Sequence, residues 1–153
     1  MPAVYQNLGV RFLYPENWRI QEEEPDEWPR TVTLQSEQTS FWSLYLYPPG
    51  HDARAAVTDV INTIRELYAD LEVLPAKETI GDIDTKGVDI AFFYLDLLVE
   101  SKIRCVQTPS ALVLWHAQAE SREFDQMSLV FQAMATSLLS SQIAATEYSE
   151  QRR

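Results

Sequence analysis

Few side chains in this chain are of types that carry chemistry. Histidine occurs at His51 and His116 and cysteine only at Cys105. A metal site needs several His, Cys or carboxylate ligands at short spacing. The two histidines are far apart, one in the loop Pro49-Gly50-His51-Asp52 and one in the run Trp115-His116-Ala117-Gln118. No metal ligand set and no cofactor are therefore expected, and a lone cysteine rules out an intramolecular disulfide framework. The one catalytic pairing to weigh is Cys105 with His116. If 102–108 and 111–119 form a hairpin about Thr108-Pro109-Ser110, residues whose numbers sum to about 219 face each other. Cys105 then lies opposite Leu114 and His116 beside Ile103, so the two are diagonal neighbours on one face. A thiol on an apolar strand lacks the electropositive, part-exposed setting of a reactive cysteine, and both residues are read as core.

Asp96 is the other residue of interest, in the middle of Phe93-Tyr94-Leu95-Asp96-Leu97-Leu98. On a central strand an unpaired carboxylate is costly to bury, so it needs Arg104, Lys102 or a tyrosine hydroxyl close by. A structural ion pair is the expectation. The alternative is a small-ligand or hydrolytic pocket between sheet and helix, built from Asp96, Tyr94 and Arg104. The acidic stretch Glu22-Glu23-Glu24-Pro25-Asp26-Glu27 lacks the alternating order that folds carboxylates around calcium and reads as a solvated loop.

Binding chemistry is carried by aromatic residues. Trp18, Trp28, Phe41 and Trp42 all fall beside loops of the N-terminal third, and such rings are frequent anchors of protein interfaces. Trp18 and Trp42 are read first as lids of the core, whereas Trp28, between Glu27 and Pro29, is expected to be exposed. On the strand 41–47, Trp42, Leu44 and Leu46 point one way and Phe41, Tyr45 and Tyr47 the other. If both helices sat on one side of the sheet, the second stripe would need a partner such as another copy of the chain.

The elements that hold these residues follow from apolar periodicity. Strands are expected at 9–14, 18–21, 31–36 and 41–47, with 18–21 returning alongside 9–14. A helix capped by Asp52 then buries Val57, Val60, Ile61, Ile64, Leu67 and Tyr68. After a short strand near Glu78-Thr79-Ile80, Gly87–Glu120 reads as three long strands with breaks near Glu100-Ser101 and Thr108-Pro109-Ser110. The first of these is apolar on both faces and so must be covered on both. Ser121 is expected to cap a closing helix with Phe124, Met127, Phe131, Met134 and Leu138 on its buried stripe. These elements define one α+β domain over 1–139, a mostly antiparallel sheet of about six or seven strands packed with two long helices. Residues 140–153 are expected to form a polar, mobile tail.

At 153 residues and 46% hydrophobic composition the chain is the size of one well-packed domain. Its net charge of −11 repels phosphate backbones and anionic lipid headgroups, so no nucleic acid or membrane partner is expected. Neither a signal-like opening nor an apolar run long enough to span a bilayer is present, and a cytoplasmic location is expected.

The segment Gly9-Val10-Arg11-Phe12-Leu13-Tyr14-Pro15-Glu16-Asn17-Trp18 resembles the opening of the Mog1/PsbP-like superfamily, where a strand of the form G-x-x-F-x-Y-P ends one turn before a tryptophan. The order of elements is similar from about Val4 to Leu139. The resemblance implies an antiparallel sheet with packed helices and a fold used mainly to bind other proteins. Members include a nuclear-import factor for a small GTPase, extrinsic subunits of the oxygen-evolving complex, and a bacterial group that includes secretion-effector chaperones. No functional residues carry over, because the matching positions form the structural hairpin. The expected function is thus a non-enzymatic, cytoplasmic protein-binding module of chaperone or adaptor type.

Overall fold

A computed structural model of the chain describes residues 2–23 and 26–151, with side chains described as far as Gln142. The described residues form β1 (Pro2–Asn7), β2 (Val10–Pro15), β3 (Arg19–Glu23), β4 (Arg30–Gln35), β5 (Phe41–Tyr47), α1 (Ala53–Leu67), β6 (Glu72–Ile80), β7 (Ile83–Tyr94), β8 (Leu97–Gln107), β9 (Leu112–Glu120) and α2 (Ser121–Gln151). Strands β3 to β9 make one seven-stranded sheet in the order β3-β4-β5-β9-β8-β7-β6, antiparallel throughout. After β5 the chain crosses one face as α1, enters the far edge as β6, and meanders back until β9 pairs with β5. This is the α+β architecture that the periodicity and the resemblance both imply.

Each face of the sheet has its own core. On one, Trp42, Leu44, Val113, Trp115 and Ala117 pack under α2 through Phe124, Phe131, Met134 and Leu138. The β1–β2 hairpin closes this side, with Phe12 stacked on Tyr5 at 4.9 Å and tilted against Trp42 at 5.0 Å. On the other, Ile90, Phe92, Ile103, Cys105 and Leu114 lie under Ala56, Val60 and Ile64 of α1. Complete burial of each such side chain stabilises by roughly 1.5–3 kcal/mol. Because the helices lie on opposite faces, the condition for an uncovered Phe41-Tyr45-Tyr47 stripe is not met: Tyr47 is buried beside α1.

Three expectations about connectivity are corrected. First, β2 pairs with β1, not with the strand after Trp18; β3 leaves the hairpin and pairs with β4 at the sheet edge. Trp18 is still tethered to the turn, donating its backbone N–H to the Pro15 carbonyl at 3.0 Å. Second, the first long strand does not run through Asp96 to Glu100. It ends at Tyr94, and Leu95-Asp96 form a two-residue turn into β8, which continues through Glu100-Ser101. Third, β6 is nine residues long, not a short strand at 78–80.

The helix starts are set by carboxylates. Asp52 caps α1 as expected, its Oδ1 accepting from the Arg54 N–H at 3.0 Å. For α2 the cap is Glu120 rather than Ser121: its carboxylate accepts from the N–H groups of Arg122 and Glu123, so the helix follows β9 with no loop. Glu123, buried in the first turn, accepts from the backbone N–H and hydroxyl of Thr39 and clamps the β4–β5 turn to α2. At the far end α2 continues past Leu139. Ser141 donates to the Arg11 carbonyl and Gln142 to that of Gly9, tying this turn of the helix to the hairpin. The side chains of the remainder of the expected tail lie outside the described residues.

Candidate functional site

The sequence-derived pocket of Asp96, Tyr94 and Arg104 does not come together. Asp96 is exposed at the β7–β8 turn with φ +64°, whereas Arg104 sits a strand length away opposite Gly87. Arg104 is buried on the α2 face, hydrogen-bonded through Nε to Glu78 Oε2 and ion-paired through Nη2 with Asp89 Oδ1, both at 2.9 Å. It also donates from Nη1 to the carbonyls of Val88 and Ile103. The anticipated ion pair of Asp96 with Arg104 does not form; Arg104 pairs with Glu78 and Asp89 instead and cross-links β8 to β7 and β6.

The aromatic candidates separate just as clearly. Trp42 is fully buried, and Trp18 is buried edge-on against Phe131 at 6.1 Å. Trp28 is exposed, with the Arg30 guanidinium 4.5 Å above its ring. Phe41 is half-buried and edge-on to His116 at 5.0 Å. These two rings line an open cleft of about 290 Å³ together with Tyr45, Tyr68 and Gln118. Buried His116 is held well below the usual histidine range, at about 4, because burial disfavours the imidazolium more than the Gln118 side chain favours it. The predicted register is present, Cys105 opposite Leu114 and Ile103 opposite His116. Burial raises the Cys105 thiol above its usual range, Lys86 offsetting part of the effect. A buried, protonated thiol beside a neutral imidazole is not an activated nucleophile. Among the described residues no group of three His, Cys, Asp or Glu side chains is placed to hold a metal ion.

The surface that sequence reasoning missed is the β7–β8 tip. β6 starts opposite Ala91 and β9 ends opposite Val99, so residues 92–98 project beyond both neighbouring strands. Phe93, Tyr94, Leu95 and Leu97 are all exposed there, Phe93 by 71% and Leu95 by 78%. Only the inner side is supported, where Tyr68 stacks on Phe92 at 4.4 Å and meets Tyr94 edge-on at 5.4 Å. Charge is limited to Asp96 at the apex, beside Leu95, and to Glu72 and Glu100 on either side of Ala91 at the base of the tip. Leu95 also has φ +49°, a left-handed conformation that normally selects Asn, Asp or Gly. The signal in the sequence was the apolar run on both faces, which equally describes a covered strand.

A seven-stranded antiparallel sheet with a helix on each face and an N-terminal hairpin beneath the last helix is consistent with a PsbP-like fold. The chain is similar in structure to cyanobacterial PsbP (CyanoP) from Synechocystis sp. PCC 6803, with a TM-score of 0.63 and 13% identity over 89% of this chain and 90% of that one. It is also similar to PA94, a Pseudomonas aeruginosa protein of unknown function, with a TM-score of 0.50 and 8% identity over 90% and 95% of the two chains. No family model and no curated protein matches the sequence. At these identities the likeness describes the fold.

Proposed function

We propose that the chain is a non-enzymatic binding module that docks another protein through the β7–β8 tip. The observation that carries this reading is Leu95, which is strained in its backbone and 78% exposed, so it contributes to neither the turn nor the core. Strain of this kind is retained where function requires the side chain. With Phe93 on one face of the hairpin and Tyr94 and Leu97 on the other, it makes the projecting tip apolar, and exposed apolar surface of this sort marks interaction sites. The flanking carboxylates and the net charge of −11 favour a partner that offers an apolar groove with a basic rim.

The test is a photoreactive amino acid at position 95, introduced into the full chain in its native cells. A discrete adduct with one other protein is expected, absent when the probe replaces exposed Leu129 and lost with Phe93→Ser. Identical adducts from both positions, or adducts only with the chain itself, would overturn the reading.

A further inference from the structure

A second surface has a different chemistry. Between α1 and edge strand β6 lies an open, largely apolar groove of about 600 Å³, within the size range of small-ligand sites. Val57 and Ile61 of α1 form one wall, and Pro75, Val88 and Cys105 line the sheet side. Three cations, Arg54, Lys77 and Lys86, line the same groove. Their placement is unusual for this chain, which has 12 Lys and Arg against 23 Asp and Glu. Among the described residues none of the three has an ion-pair partner. Lys77 and Lys86 are moreover direct cross-strand partners, a like-charge pairing that destabilises a sheet. Among the described residues Arg104 and Arg122 are ion-paired, so an unpaired cation is not unusual by itself; what sets this groove apart is that three cations gather around one apolar floor, two of them in a single cross-strand row.

We propose that this groove binds an amphipathic anion, a medium-chain acyl carboxylate. Its tail lies on Val57, Ile61, Val88 and Cys105, and its head group meets Lys77, Lys86 and Arg54. The apolar floor selects the chain and the three cations select the charge. A neutral amphiphile of equal length gains only the first contribution. The volume accommodates a chain of roughly ten carbons. This site is separate from the β7–β8 tip, so each reading stands or fails independently.

Laurate, held below its micellar concentration, is the probe, with dodecanol as its neutral counterpart. One laurate per chain is expected by calorimetry, with dodecanol about tenfold weaker or more. Bound laurate should slow modification of Cys105, the only cysteine, by a small thiol reagent. The double substitution Lys77→Ala/Lys86→Ala should weaken laurate by about tenfold while leaving the unliganded thermal midpoint unchanged or raised. Lys102→Ala, on the opposite face, should have no effect. Equal affinity for laurate and dodecanol, unaltered affinity in the double variant, or binding that leaves Cys105 unprotected would overturn the assignment. So would retention on anionic vesicles without binding of free laurate.

Discussion

Leu8 and Leu95 occupy the same backbone position in two different hairpins, the first residue of a two-residue turn, with φ +56° and +49°. Leu8 is partly buried against the α2-side core, which offsets its strain, whereas Leu95 projects into solvent. Leu95→Asn should therefore stabilise the protein by about 1 kcal/mol, because asparagine tolerates the left-handed region. Leu8→Asn should gain nothing, since it loses packing. Urea midpoints of the two variants check this, and equal shifts would show that Leu95 is not strained without compensation.

The tip should be dispensable for folding. Phe93→Ser is expected to change stability by no more than about 0.5 kcal/mol, as for other surface positions, while removing partner capture. By contrast, Trp42→Ala should cost about 3–5 kcal/mol, because its side chain is fully buried between β2 and α2. Denaturant titrations of both variants distinguish an interaction surface from a core.

At Arg104 the two sides of the ion pair are unequal. Arg104 is 5% exposed and Glu78 27%. Glu78→Ala leaves a buried cation with only Asp89 and should cost about 2–4 kcal/mol, whereas Arg104→Met removes the buried charge and should cost less. The reverse order in equilibrium unfolding would show that the cluster is governed by packing and not by charge.

Gly87 faces the Ile103 carbonyl so closely that a side-chain carbon would stand 1.7 Å from its oxygen. Gly87→Ala must displace backbone where β7 pairs with β8 beside Arg104, and a loss of about 3 kcal/mol or more is expected, read as a lowered urea midpoint. A near-neutral result would mean that the strands separate freely at this point.

His116 makes stability depend on pH. Its pKa is about 4 when folded, against 6.5 for an ordinary histidine. Between those values the unfolded chain binds a proton that the folded chain does not. The contribution is therefore complete above about pH 6.5 and is lost as pH falls towards 4, by about 3 kcal/mol in total. Unfolding of His116→Gln should lack this component, so the difference between the two proteins should shrink or change sign across that window. A constant difference would place His116 outside the titration.

What the sequence made legible depended on the chemistry of the turns. Thr108-Pro109-Ser110 is an unambiguous break, and counting outward from it gave the β8–β9 register residue for residue. Leu95-Asp96 and Leu8-Gly9 begin their turns with leucine, which carries no turn signal, so one strand was extended through Asp96 and β1 went unseen. The expected pocket failed with that register error, because moving the turn by a few residues separated Asp96 from Arg104. The helix stripes were clearer, since Val60, Ile64, Phe131 and Leu138 repeat at helical spacing whatever they pack against. Which face each helix would cover was not legible, because a strand apolar on both sides accepts either.

The bonds from Ser141 to Arg11 and from Gln142 to Gly9, with the Leu13 N–H donating to Ser137, also set a timetable. The β1–β2 hairpin is completed by α2, which emerges from the ribosome after every other described element. Until then Phe12 and Tyr14 have no α2 to pack against, and the bond from the Leu13 N–H to Ser137 closes over 124 residues. Local propensity alone does not complete this half of the core, and during synthesis the aromatic hairpin precedes the helix that covers it.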